Sequence, residues 1–218
     1  MPFPKRAQWW QTFLMHTIST LQELQEIYST APVLAATAKE ITYINAAYRT
    51  LIEHSPFVAL ATIGAGGLDC SPRGDEGAVV RVLGEKTLAI PDRRGNNRID
   101  SLRNIVADPR VALLFLLLGS GTTFRVNGTA VLTTDAALCN SFEMEGALPR
   151  CVIVITVEAA YFQCARAVKR SGLWDAANHI PPNTLPTPGQ ILQELSQGEI
   201  EATNYDTSWP ARAAKTMW

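Results

Sequence analysis

"FVALATIGAGGLDCS", residues 57–71, has the pattern of a β-hairpin. Its first half, residues 57–63, is an apolar run of strand-forming residues, and the four positions 64–67 hold three glycines. Glycines in a short connection permit the tight turns that join antiparallel strands. Residues 68–71 then form the returning strand. The stretch therefore predicts an antiparallel sheet whose strands follow one another closely along the chain.

The same pattern continues on the C-terminal side of this hairpin. A helix at about residues 98–107 and a short one, capped by Thr133 or Thr134 and running to Phe142, are the main interruptions. Short strands joined by tight turns favour an antiparallel barrel over a doubly wound parallel sheet. The sequence thus predicts a mainly β fold with flanking helices. Its further strands are expected at residues 78–83, 87–90, 110–117, 122–132 and 151–157.

Helical segments are predicted on both sides of the strands. Residues 7–29 and 37–53 mix apolar and polar positions at helical spacing, and the tail has a helical patch at residues 190–197. We predict three parts. These are N-terminal helices at residues 1–53, a barrel at 54–175, and a C-terminal arm at 176–218 that packs on a partner subunit.

Composition excludes several classes of function. The 218 residues carry 19 basic and 20 acidic side chains, so no global field attracts nucleic acid or an anionic membrane. The longest strongly apolar run has only eight residues, at 111–118, whereas about 20 are needed to cross a bilayer. The four cysteines show no C-x-x-C spacing, and neither a metal site nor a disulfide framework is expected. Because no export signal is recognisable at the N-terminus, we expect a cytoplasmic protein.

One segment, "PDRRGNNRIDSLRN" at residues 91–104, concentrates four arginines in fourteen positions. We predict that Asn97 caps the following helix and that Asp100 completes a capping box. A helix N-terminus favours an anion, and guanidinium groups bind phosphate in a two-pronged geometry. The segment therefore predicts a phosphate cradle that includes Arg93, Arg94 and Arg98. The alternative is a solvated loop.

Two further arginines lie at strand positions. Arg73, in "CSPRGD", follows a predicted strand and precedes a glycine that would let a ligand approach the backbone. Arg125, in "TTFRVN", interrupts a strand of apolar and β-forming residues. Either arginine could simply face solvent. The functional interpretation is that both strands converge on one anionic ligand.

The order of these motifs resembles the FMN-binding split barrel of the pyridoxamine 5′-phosphate oxidase superfamily. The stretches that carry the resemblance are "FVALATIGAGG", "SPRGD", "TLAIPDRRGNNRIDSLRNIVADPRVALLF" and "TTFRVNGTAVLT". With "CARAVKRSGLW", they are similar to a bacterial subgroup of oxidase-related flavoproteins. The resemblance covers about residues 40–175. It implies a six-stranded antiparallel split barrel, a homodimer with FMN at the subunit interface, and an FMN-dependent oxidoreductase acting on a small molecule.

The resemblance also implies roles for individual residues. The FMN phosphate would be held by Arg73, Asn97 and Arg98, with Arg93, Arg94 and Ser101 as further candidates. The flavin ring would be reached by Thr123 or Arg125, and by Trp174 with Lys169 or Arg170 from near the end of the chain. No catalytic acid or base can be assigned.

The chain departs from authentic pyridoxamine phosphate oxidases at its C-terminal side. Those enzymes resemble one another in an R-x-H near the C-terminus that contacts the substrate phosphate, whereas this sequence ends "WPARAAKTMW". Oxidation of vitamin B6 is therefore not expected. The alternatives that remain are a split barrel binding F420 or haem, and a non-catalytic module that binds a flavin or another phosphate ligand.

Overall fold

The computed structural model describes residues 16–181 and 183–218. It divides into two compact units, Met1–Ala38 and Lys39–Trp218. In the first unit, helix α1 covers Leu21–Ile27 and helix α2 covers Leu34–Thr37. The Thr20 side chain caps α1 by accepting from the backbone N–H of Glu23. The predicted helix over residues 7–29 begins outside the described residues, and α1 is the part of it that the structure describes.

Seven antiparallel strands form one sheet in the described part of the second unit. They are β1 Phe57–Gly64, β2 Gly67–Gly74, β3 Arg81–Gly84, β4 Thr87–Pro91, β5 Arg110–Leu116, β6 Thr123–Thr133 and β7 Val152–Gln163. Their order in the sheet is β2-β1-β5-β6-β7-β4-β3. The predicted antiparallel class is confirmed, and the sheet has one strand more than the six that the family resemblance implied. The strand β3, expected at residues 78–83, is short and pairs with β4 at one edge of the sheet.

In the described residues of the second unit, six α-helices accompany the sheet. Two of them, the sixth and the eighth along the chain, were not predicted. None of the helices in the described ranges is long and apolar enough to cross a membrane. The helices are α3 Ala46–Glu53, α4 Asp100–Ala107, α5 Ala136–Asn140, α6 Arg166–Ser171, α7 Pro188–Leu195 and α8 Ala202–Thr216.

Alternation along the strands places one side of the sheet in the core. In β1, Val58 and Leu60 are fully buried, while Ala59 between them points to the other face. The same cluster receives Val82 from the opposite edge of the strand order, so the sheet must curl around this cluster. Helix α3 contributes Tyr48 to that core. Burial of the apolar side chains of this cluster is the main force that keeps the sheet curled.

Helix α4 begins later than the sequence predicts. Its first residue is Asp100, and its N-cap is Ile99, which has a φ of 52° and offers no side-chain cap. Asn97, the predicted cap, also has a positive φ, of 59°, and the predicted capping box is wrong. The side-chain oxygen of Asn96 instead accepts from the backbone N–H of Arg98 at 3.0 Å. Two left-handed residues therefore fold the segment into a tight loop before the helix starts.

Candidate anion-binding cavity

A cavity of about 1040 Å³ lies at one end of the sheet. Its walls are the end of β2, the loop between β4 and α4, the first turn of α4, the segment before β7, and Met217 with Trp218. Chain segments that are far apart in the sequence thus meet around one space. The volume is in the range of pockets that hold small-molecule ligands and cofactors.

All six residues predicted to hold a phosphate line this cavity. They come from three segments, because β2, the loop and the start of α4 converge there. Pairing of β1 with β2 on one side and with β5 on the other positions the end of β2, and α4 packs across β1. The six are Arg73, Arg93, Arg94, Asn97, Arg98 and Ser101.

Arg93 is already held by other groups of the protein. Its Nε and Nη2 atoms lie 2.9 Å and 2.8 Å from Oδ2 of Asp75, and its Nη1 donates to the carbonyl of Phe142 at 2.7 Å. The side chains of Arg93 and Asp75 are only 14% and 5% exposed, so water screens this pair poorly. The guanidinium also lies 5.3 Å from the ring of Trp218. Arg93 therefore shapes the cavity wall, and the other arginines have more freedom to bind a ligand.

Arg73 and Arg98 make fewer hydrogen bonds to the protein than Arg93 does. The Nη1 of Arg73 donates to the neighbouring carbonyl of Pro72 at 2.8 Å, a contact that leaves most of its donors available. The Nε of Arg98 donates to Oδ2 of Asp100 at 2.8 Å, and the Arg98 side chain is 75% exposed. This hydrogen bond raises the pKa of Arg98, so its positive charge is secure. Both side chains could redirect their donors to an anion.

Two serine hydroxyls, one from β2 and one from α4, lie near the start of α4. The hydroxyls of Ser71 and Ser101 both lie 3.3 Å from Oδ2 of Asp69, a long distance for an O–H···O bond. Ser101 is buried in the first turn of α4, where Ile99 leaves the backbone N–H groups without a side-chain cap. Free N–H groups and the helix dipole favour an anion at this position.

Sequence reasoning missed Ser71, which also lines the cavity. Ser71 and Arg73 are two residues apart on β2, and side chains at this spacing point to the same face of a strand. The "SPRGD" motif therefore contained the signal. Because its hydroxyl is two residues from a candidate arginine, Ser71 belongs with the donors that face the cavity.

Asp92 and Arg150 were also missed. Asp92 follows β4 and Arg150 precedes β7, and the pairing of Pro91 with Val152 brings these two positions together. Both residues line the cavity. Burial raises the pKa of Asp92, and the positive charges of Arg73 and Arg150 oppose that rise. No local sequence signal could have found this group, because it depends on the pairing of two distant strands.

The residues predicted to reach the flavin ring lie elsewhere. None of the five lines the cavity formed by the described residues. Thr123 and Arg125 are on the outer face of β6, where the Nε of Arg125 donates to Asn127 at 3.0 Å. Trp174 donates from its indole nitrogen to the carbonyl of Ser120 at 2.7 Å. The other two, Lys169 and Arg170, are in the last turn of α6. Their roles toward a ring remain predictions.

Three solved structures illustrate what the fold is similar to. One is HupZ from Group A Streptococcus, with 21% identity, a TM-score of 0.44, and coverage of 53% of this chain and 90% of that one. Another is General Stress Protein 26 from Bacillus anthracis, with 18% identity, a TM-score of 0.40, and coverage of 52% and 88%. The third is a FAD-binding protein from Mesorhizobium loti, with 16% identity, a TM-score of 0.35, and coverage of 55% and 95%.

The family model gives the stronger comparison. No curated protein matches the chain. The model described as pyridoxamine 5′-phosphate oxidase matches residues 44–164, which is more than half of the sequence. The matched range runs from just before α3 to the end of β7 and includes most of the cavity wall. Its match confirms the resemblance and the split-barrel fold class. The chain belongs to the pyridoxamine 5′-phosphate oxidase family.

Proposed function

We propose that this chain is a cytoplasmic FMN-binding flavoprotein that acts as an oxidoreductase on a small molecule. The observation that carries the proposal is the convergence of the six predicted phosphate-binding residues on one cavity. Members of this family typically bind a flavin. The match to the family model and the cavity residues thus support the same kind of ligand.

The donor set fits a phosphate monoester. Arg73 and Arg98 supply guanidinium groups with donors left for a ligand, and Ser71 and Ser101 supply hydroxyls beside the uncapped start of α4. Phosphate oxygens accept such charged hydrogen bonds, and the planar fork of arginine matches their geometry. These residues would hold the FMN phosphate. When bound, the flavin supplies the hydride chemistry, and the protein orients it and limits access of water.

We further propose a homodimer that uses the outer face of the sheet. Leu114 on β5 pairs with Ala59 on β1 and with Arg125 on β6, and all three point away from the core. Leu114 is 40% exposed, and Phe57 on the same face is 36% exposed. An apolar face with an arginine beside it is typical of a protein interface. Sedimentation should then give about twice the chain mass, and the mass of one chain would contradict the dimer.

Arg73→Ala tests the proposed phosphate site. We expect this change to weaken FMN binding by about 1.5–3 kcal/mol, the scale of a hydrogen bond to a charged group. The measurement is a titration of the apoprotein with FMN, followed by quenching of flavin fluorescence. Arg103→Ala is the matched control, because Arg103 is an exposed arginine of α4 that does not line the cavity. Equal affinities in the two variants would remove Arg73 from the site.

The same cavity chemistry also suits the other candidates of the family fold. F420 carries a phosphodiester, and a non-catalytic module would use the same arginines to hold a nucleotide or phosphate ester. Identifying the compound released from the purified protein separates these candidates. A bound flavin that no reductant can turn over would favour the non-catalytic module.

A further inference from the structure

Asp92 is a carboxylate inside a cavity that otherwise favours anions. Its backbone N–H donates to the carbonyl of Cys151 at 3.0 Å, which fixes the residue at the junction of β4 and β7. Its side chain is half-buried and lines the cavity. A negative charge at this position opposes the binding of a negatively charged ligand, so its presence needs a physical account.

The other two carboxylates of the cavity wall have partners of their own. Asp75 is paired with Arg93, and Asp100 is paired with Arg98. Within the described ranges, Asp92 has no ion pair of this kind, although Arg73 and Arg150 line the same cavity and their charges lower the pKa of Asp92 against the effect of burial. These two arginines in turn make only weak or local contacts. Arg73 donates to the carbonyl next to it, and Arg150 lies 3.5 Å from Oδ1 of Asn97.

We propose that Asp92 is the cavity's own counter-anion for Arg73 and Arg150, and that a phosphate monoester replaces it and causes Asp92 to take up a proton. The inference rests on the anion site of the proposed function but not on FMN as the ligand. The ligand's phosphate would draw both guanidinium groups away from Asp92. The carboxylate would then lose its stabilising charges and gain a neighbouring negative charge, and both changes favour its protonated form.

Burial already favours the protonated form of Asp92. The pKa of Asp92 is raised in the free protein, mainly by desolvation, and Arg73 and Arg150 are the charges that limit the rise. Arg94, which follows two residues later, carries a further positive charge on the wall. A neighbouring thiol, that of Cys151, has a pKa of about 11 and is therefore neutral at and below neutral pH. Asp92 is therefore the cavity carboxylate whose protonation is best coupled to the ligand.

Coupling of this kind fixes the sign of the pH dependence. Below the free-state pKa of Asp92 the group is protonated with or without ligand, so it adds no pH dependence. Between the free-state and the higher bound-state pKa, phosphate affinity falls as pH rises, by up to about tenfold per pH unit. Above the bound-state pKa, affinity is low and constant. Asp92→Asn removes the contribution of Asp92 to the pH dependence of phosphate affinity. The pH dependence that is left comes from the ionisation of the ligand itself.

The experiment compares the folded wild type with Asp92→Asn by calorimetric titration. The ligands are inorganic phosphate and FMN, each titrated from about pH 5 to about pH 8 in buffers of different ionisation enthalpy, which reports proton uptake. We expect the wild type to take up more protons than Asp92→Asn, by up to about one per site. We also expect Asp92→Asn to bind phosphate about tenfold more tightly at the upper end of the range.

Two further variants keep the test decisive. Asp92→Ser serves if the asparagine variant does not fold. Arg150→Ala removes a charge that keeps Asp92 ionised, so the fall in affinity should begin at higher pH, whereas Arg103→Ala should not move it.

The two proposals fail in different ways. Equal proton uptake by wild type and Asp92→Asn, or no phosphate binding by either protein, would overturn the role of Asp92. FMN binding without that difference would leave the proposed function standing. If phosphate binding shows the difference but FMN does not bind, the inference stands and the proposed function fails.

Discussion

Two cysteines show how the surroundings of single residues set their chemistry. Burial, the charge of Asp92 and the nearby Cys139 raise the pKa of Cys151 to about 11. The pKa of Cys164 is lowered, first by the backbone N–H of Arg166 and then by the charges of Arg166 and Lys39. The thiolate is the reactive form of cysteine. The two thiols should therefore differ in reactivity even though neither is in a disulfide.

Alkylation with iodoacetamide at about pH 7.5 should reveal this difference. We expect Cys164 to be modified much faster than Cys151, because it is exposed and has the larger thiolate fraction. Peptide mass spectrometry after short reaction times gives the order. In urea the two rates should converge. Faster modification of Cys151 in the folded protein would contradict the environments described for these thiols.

Among single residues, the sequence predicted those cavity residues that belong to short sequence motifs. Arg73, Arg98 and Ser101 were found because their motifs match the family pattern in order, and all three line the cavity. Asp92 and Arg150 were not found, because they meet only through pairing of β4 with β7. The roles of these five residues toward a ligand remain proposals.

Among the elements, β6 depends on a glycine at its bulge. The pairing of β6 with β7 shifts register between Asn127 and Gly128. A Cβ at position 128 would lie 2.0 Å from the carbonyl oxygen of Thr156 and 3.0 Å from its carbonyl carbon. These are backbone atoms of a paired strand, so they cannot move without disturbing the hydrogen bonds of the ladder.

Gly128→Ala should therefore destabilise the protein by at least about 1–3 kcal/mol, the usual cost of overpacking a core. The measurement is the urea midpoint of unfolding. Gly66→Ala is the matched control, because a Cβ at position 66 would meet nothing within 4 Å. It should change stability by less than about 0.5 kcal/mol. Equal midpoints for both variants would show that the bulge tolerates a side chain.

Strands were easier to predict than helix ends. The apolar and β-forming residues of 122–132 predicted most of β6, and the structure shows that buried and less buried side chains alternate along most of it. The start of α4 was misplaced, because a positive φ is not expected at Ile99, which is β-branched. Asn97, whose residue type tolerates a positive φ, adopts one and does not cap the helix. Helix α8 was missed because it has no buried residue and contains Pro210, which disfavours a helix interior.

For the whole molecule, the main hydrophobic core and the candidate anion-binding cavity follow from the way the sheet curls. Strands from both ends of the order contribute to a single hydrophobic cluster. The same curvature brings the end of β2 near the start of α4 and near the junction of β4 with β7, where the cavity lies. The fold class could be predicted from the short strands and tight turns. The cavity as a whole could not, since it is formed by segments that are distant in sequence.

The measurement that tests the central claim most directly is the visible absorption spectrum of the purified protein. The compound released on denaturation is then identified by its mass. Our account predicts a flavin spectrum and FMN at about one molecule per chain, because the cavity has the donors for one phosphate ester. A colourless protein that takes up no added FMN would contradict the account, and the arginines of residues 91–104 would then need another ligand.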